Sequence, residues 1–143
     1  MKVMPSRHSM SSLADYLVFG PRHRGAVLKP AVREAVRLAI LRICDNMGLE
    51  VIRMAVSADQ VHIFYRYPPK YSVSEVARNI KGGSSRRVRK RFPGLRKRWP
   101  DGLWSPGCFH GAVGQGAEEV VNYIRSQEGL SLEERIAKLR RRY

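Results

Sequence analysis

Three groups of side chains in this sequence have types and spacings suited to chemistry on a phosphate. Gln60 and His62 flank Val61 in the stretch SADQVHIFYR (57–66), which alternates like a strand. Strand side chains alternate faces, so the amide and the imidazole project to one side, away from Val61, Ile63 and Tyr65. Such a histidine can be a packed strand residue or a metal ligand, and the strand alone leaves both open. The second group is Tyr123 and Gln127, four residues apart and therefore neighbours along one edge of a helix. Val120, Val121 and Ile124 form the packing stripe of that helix. A tyrosine at its margin either fills the core or attacks a polarised phosphorus to give a covalent ester. The third group is basic: Arg86, Arg87, Arg89 and Lys90, with Lys81 before them and Arg22, His23 and Arg24 far upstream. These residues offer donors to phosphate oxygens. A solvated helix face is the plainer reading, weakened here because few acids are interspersed.

The bulk composition agrees with a polyanionic partner. The chain has 143 residues with 27 Lys plus Arg against 12 Asp plus Glu, a net charge of +15. Most of the basic residues are arginine, whose planar fork suits phosphates and stacks on bases. At 43% hydrophobic content the chain suits one compact domain spanning 1–143. The two cysteines, Cys44 and Cys108, lack CxxC spacing, and Cys44 falls in a helical apolar pattern, as in a reducing compartment. No apolar run reaches the roughly 20 residues of a membrane span, and the first residues lack a signal-peptide core. The expectation is a cytoplasmic protein, nucleoid-associated when bound to DNA, with no membrane partner.

These groups must be positioned by a small number of elements. Residues 13–19 read as a first strand, closed by Gly20-Pro21. Val32, Val36, Ile40, Ile43 and Met47 recur at helical spacing, and Gly48 supplies the stop. Residues 49–56 and 60–67 form a hairpin around a tight turn at 57–59. Ser72 with Glu75 is a capping box that opens a second helix, and Gly82-Gly83 is expected to interrupt it. A loop over 93–102 leads to a glycine-rich fourth strand over 103–113. A third helix over about 117–127 and a charged fourth helix over about 131–142 complete the chain. The order is that of an α+β, ferredoxin-like (RRM-like) antiparallel sheet with helices on one face, plus a C-terminal tyrosine-bearing helix. That fold serves many functions and decides none of them.

The motifs are more specific. QVH (60–62), PPKYSVSEVARNIKGGSSR (68–86), LWSPGCFHGAVG (103–114) and VNYIRSQ (121–127) together resemble the single-tyrosine HUH transposases. These TnpA-type enzymes serve small insertion sequences that move as single-stranded DNA. The resemblance covers about 13–128 and omits the C-terminal helix. It implies that Tyr123 attacks the scissile phosphate, giving a 5′-phosphotyrosine and a free 3′-OH. It further implies that His62 and Gln127 hold a divalent cation, Mg or Mn. Gln60 stands where the family's first motif histidine belongs. An amide oxygen can coordinate these oxygen-favouring cations, but the set Gln60, His62 and Gln127 carries no negative charge. The implied partners are single-stranded or hairpin DNA and a second copy of the chain, with Ser84 and Ser85 in the DNA-contacting block.

The cation would offset charge growing on phosphorus and help form a phenolate that otherwise ionises near pH 10. No paired carboxylates, Ser/His/Asp set or zinc-spaced cluster offers rival chemistry. The loop GAVGQG (111–116) lacks a P-loop lysine, so no nucleotide cofactor is expected, and it reads as a hinge before the tyrosine helix. The aromatic motif of RNA-recognition sheets is missing, which disfavours that class. Two readings remain: an active transposase, and a catalytically impaired relative that binds hairpin or single-stranded DNA without efficient cleavage.

Overall fold

A computed structural model of the protein describes residues 13–22 and 28–112. The expected third and fourth helices, Tyr123, Gln127, His23 and Arg24 lie outside the described residues. The element order is β1 (Ala14–Phe19), α1 (Pro30–Met47), β2 (Glu50–Val56), β3 (Val61–Arg66), α2 (Val73–Arg91), α3 (Pro93–Arg98) and β4 (Phe109–Ala112). The strands form one antiparallel sheet in the order β2-β3-β1-β4, as expected for the ferredoxin-like arrangement.

Helix α1 begins with Pro30, whose missing N–H costs nothing in a first turn. It ends at Gly48, which takes φ +75° and sends its N–H to the Asp45 carbonyl. Between them Val32, Val36, Ile40 and Ile43 are buried, as their spacing predicts. Each fully buried side chain of this size contributes about 1.5–3 kcal/mol. Helix α2 opens on the expected capping box: the Glu75 N–H donates to Ser72 Oγ and the Ser72 N–H to Glu75 Oε1.

The interruption expected at Gly82-Gly83 does not occur, and α2 runs unbroken for 19 residues. The reason is packing between helices. A Cβ placed on Gly83 would lie 2.6 Å from Ile43 Cδ1, so the glycine lets α1 approach α2 closely. That contact offsets the roughly 1 kcal/mol that a helix-interior glycine costs.

The segment expected as loop contains the short helix α3, and the fourth strand is shorter than predicted. Residues 103–108 form a connector in which Trp104 makes an isolated bridge to Pro21 and Gly107 has φ +83°. Leu103 and Trp104 from this connector, and Trp99 from the end of α3, fold into the core. Leu17, Phe19, Val61, Ile63 and Tyr65 form the sheet's contribution to that core, facing the helices.

Candidate functional site

Gln60 and His62 project from the sheet face opposite the helices, as the alternation predicts. The alternation makes this the face away from the core, where the more open surface is expected, but it is closed. Tyr16, Val18, Gln60, His62 and Phe64 are each at most 2% exposed, although none belongs to the core that the helices build. A buried imidazole must have its polar atoms satisfied, and this one does.

The local positioning begins at the hairpin. The Ser57 N–H donates to the Gln60 carbonyl, closing the turn and setting Gln60 at the mouth of β3. His62 pairs with Val18 on β1 and Ala55 on β2, two short side chains that leave room for a ring. Its Nε2 lies 2.8 Å from Gln60 Oε1. An amide oxygen can only accept, so the proton resides on Nε2 and Nδ1 accepts from the Tyr16 hydroxyl. The Tyr16 ring stacks on the imidazole with centroids 5.7 Å apart. Nothing in the local sequence pattern singles out Tyr16. Only the β1–β3 register, which pairs Tyr16 with Phe64 beside His62, brings it there.

The donor set fits a divalent cation at two positions. Ligands held about 2.0–2.1 Å from Mg²⁺ at right angles stand about 3 Å apart, close to the spacing between Gln60 Oε1 and His62 Nε2. Binding there would move the imidazole proton to Nδ1, where the Tyr16 oxygen can accept it. The hydroxyl thus serves either tautomer. Among the described residues no three His, Cys, Asp or Glu side chains form a metal-holding cluster, so further ligands would have to come from elsewhere. One more polar atom is notable on this sheet. Arg53, paired with Phe64 across β2 and β3, has a buried Nε with no hydrogen-bond partner among the described residues.

The basic residues divide into two sets. Arg86, Arg87 and Lys90 are exposed and, with Arg91, line a cleft between α1 and α2 whose floor includes Ile43 and Gly83. The others hold the 99–107 connector. Ser84 Oγ accepts from Trp104 Nε1 and donates to the Ile80 carbonyl, and Ser85 Oγ accepts from the Leu103 N–H. Arg89 donates to the Trp99 and Pro100 carbonyls. Arg22 donates to the Asp101 and Gly102 carbonyls, and Lys81 to those of Ser105 and Gly107. Burial lowers the Lys81 pKa, with Arg22 adding to the effect and Cys108 opposing it.

Comparison with known proteins places these features in a wider set. The family described as "Transposase IS200 like" matches residues 9–127. The transposase of the insertion element IS200 from Salmonella typhimurium is 26% identical over 121 residues, covering 84% of this chain and 80% of that protein. The ISDra2 transposase TnpA of Deinococcus radiodurans is 27% identical over 129 residues, covering 89% and 92%. Among solved structures, a candidate transposase from Deinococcus radiodurans is 26% identical with a TM-score of 0.65, over 80% of this chain and 90% of that one. A REP-associated tyrosine transposase bound to a REP hairpin superposes with a TM-score of 0.61 at 17% identity, over 85% and 71%; at that identity the likeness concerns the fold.

Proposed function

The chain belongs to the IS200-like transposase family, and on that premise we propose that it cleaves and rejoins single-stranded DNA at hairpin-bearing insertion-sequence ends. The observation that carries this reading is the pairing of His62 with Gln60 on a buried sheet face, at the separation of two adjacent metal ligands. Tyr123 is the proposed nucleophile, with Gln127 as the helix-borne third ligand. A bound Mg²⁺ or Mn²⁺ would supply charge to offset the developing oxyanion. His62 Nε2, Gln60 Oε1 and the Gln127 amide would hold it.

The protein's own residues do the remainder. Tyr16 fixes the imidazole so that Nε2 stays aimed beside Gln60. The buried Arg53 Nε, without a hydrogen-bond partner among the described residues, supports the same reading, because such a donor suits a phosphate oxygen. Arg86, Arg87, Lys90 and Arg91 would track the backbone of the hairpin along the α1–α2 cleft, by charge rather than by base reading. Ser84, Ser85, Arg89, Lys81 and Arg22 would act on DNA through the connector they hold. The working species is a homodimer acting in the cytoplasm on single-stranded or hairpin DNA.

Gln60 favours a second reading, in which the chain binds hairpin DNA without efficient cleavage. Incubation of purified protein with a labelled hairpin-bearing single strand and Mn²⁺ separates the two. A covalent adduct that disappears in Tyr123→Phe and in His62→Ala supports cleavage. Binding without adduct supports the lapsed form. Loss of binding by wild type at low salt would overturn both. Sedimentation at micromolar concentration tests the dimer, and a monomer alone would count against it.

A further inference from the structure

On the helix-facing side of the sheet, away from His62, a second polar group runs along the β1–β4 edge. Leu17 pairs with His110 and Asp15 with Tyr65, so both Asp15 and His110 face the helices rather than the His62 side. Asp15 is 2% exposed, and its Oδ2 accepts from the Tyr65 hydroxyl at 2.7 Å. The same oxygen accepts from His110 Nδ1–H at 2.6 Å. That leaves His110 Nε2 as an acceptor, and Cys108 Sγ lies 3.4 Å from it, within hydrogen-bond reach for sulfur. Cys108 is exposed. Thiol, imidazole and buried carboxylate therefore stand in the order nucleophile, base, orienting acid, which is recognised by geometry rather than by position in the chain.

We propose that Cys108 is a base-activated thiol, a modification site for small disulfides and soft electrophiles, with His110 as its general base and Asp15 holding the imidazole in the required tautomer. In exchange with a small disulfide, the Cys108 proton passes to His110 Nε2 as the sulfur attacks. A new S–S bond forms to Cys108 and the old one breaks. The departing thiolate takes the proton back from the imidazolium, and the disulfide itself is the oxidant. Modification would remove the thiol's hydrogen bond and place a substituent on the connector leading into β4.

The electrostatic surroundings favour this route over a standing thiolate. Burial pushes the Cys108 thiol up, the Lys81 ammonium pulls it down and Asp15 pushes it up again, leaving it above the ordinary value. The group is thus held protonated at neutral pH, so reactivity has to come from proton removal during attack. A thiol of higher pKa is also the stronger intrinsic nucleophile once deprotonated. Lys81, fixed by the Ser105 and Gly107 carbonyls, stands ready to stabilise the developing anion. Cys44 offers an internal contrast: it is 1% exposed and burial pushes it up to about 12.

The test uses the full-length reduced protein with dithiobis(nitrobenzoate) and, separately, iodoacetamide, following release of thionitrobenzoate and intact mass. One thiol should react in the folded protein at least about tenfold faster than in the same chain unfolded by guanidinium. Cys108→Ser should abolish that phase, leaving Cys44 to react only on unfolding. His110→Gln should slow it by about 10²-fold, the lower end of what a positioned general base contributes. Its thermal unfolding midpoint is measured beside wild type. The wild-type rate in deuterium oxide supplies a second readout that needs no substitution, and it should be slower than in water. A folded-state rate no greater than the unfolded one overturns the proposal. So does a folded His110→Gln that reacts as fast as wild type, or a wild-type rate undiminished in deuterium oxide.

Discussion

Gln60 Oε1 and His62 Nε2 lie 2.8 Å apart on one face of the sheet, two residues apart in sequence and both 1% exposed. In the absence of a cation the amide oxygen accepts the imidazole proton, so the two side chains satisfy each other. The glutamine at 60 therefore gives the buried imidazole a partner within the protein itself, and on the proposed reading it would offer a bound cation only a weak ligand.

A second imidazole at that position should reverse the balance. Gln60→His keeps the strand period and replaces a weak ligand with a stronger one, so Mn²⁺ affinity should rise by about tenfold, or roughly 1.4 kcal/mol. Titration calorimetry on the protein without DNA reads this directly. Unchanged affinity would remove Gln60 from the metal site.

Tyr16→Phe should test the other end of the ring. The substitution removes the hydroxyl that serves His62 Nδ1 and leaves a buried acceptor short of its donor, a loss of about 1–3 kcal/mol. Urea unfolding should show that loss, and Mn²⁺ binding should weaken as the ring loses its orientation, by about 10-fold or more. Lost stability with unchanged metal affinity would assign Tyr16 to packing alone.

The adjacent glycines of α2 should respond to alanine with opposite signs. At Gly82 the new methyl meets only the mobile Arg86 guanidinium at 3.3 Å, so helix propensity should prevail and stability rise by about 0.5–1 kcal/mol. At Gly83 it meets Ile43 Cδ1 at 2.6 Å in a packed helix–helix contact, and stability should fall by about 1–3 kcal/mol. Thermal or denaturant unfolding of the two variants settles the comparison. Equal effects would show that α1 and α2 are not held together at that point.

Binding to a hairpin-bearing single strand should depend steeply on salt. With about four phosphates met by Arg86, Arg87, Lys90 and Arg91, log K should fall against log salt with a slope near −3. Replacing Arg87 and Lys90 by alanine should weaken binding across sequences and flatten the slope by about one to two. A slope unaffected by both changes would move the DNA path away from the α1–α2 cleft.

Periodicity was enough for the elements that announce themselves locally. The stripe Val32, Val36, Ile40 and Ile43, the Ser72–Glu75 box and the alternation through His62 each needed only neighbouring residues, and each is found in place. What local pattern could not carry was any meeting between distant segments. Gly82-Gly83 reads as a helix break unless Ile43 is known to lie against it. That Ser84, Ser85 and Arg89 also hold the 99–107 connector shows only once that distant segment is in view. Tyr16 and Asp15 are ordinary strand residues in sequence, and their partners lie 46 and 95 positions away. Gln60 and His62, by contrast, lie two residues apart in one short stretch, whereas Asp15 and His110 meet only through the β1–β4 pairing.

Asp15 and Tyr16 are consecutive in β1, yet they serve polar groups on opposite sides of the sheet. This makes the first strand an odd–even cipher. Odd positions 15, 17 and 19 are written for the helices, even positions 16 and 18 for the imidazole. A slip of one residue would not merely misplace a hydrophobic set; it would exchange a carboxylate for a phenol on both faces at once, stranding His62 and His110 together. A two-residue slip would restore the faces but set Phe19 or Asp15, in place of Leu17, opposite His110, so the present Asp15–His110 geometry is lost in either direction. The two networks thus proofread the same alignment from either side, so a single-residue insertion between 14 and 19 is forbidden twice over, where an insertion in the 57–59 turn meets neither check.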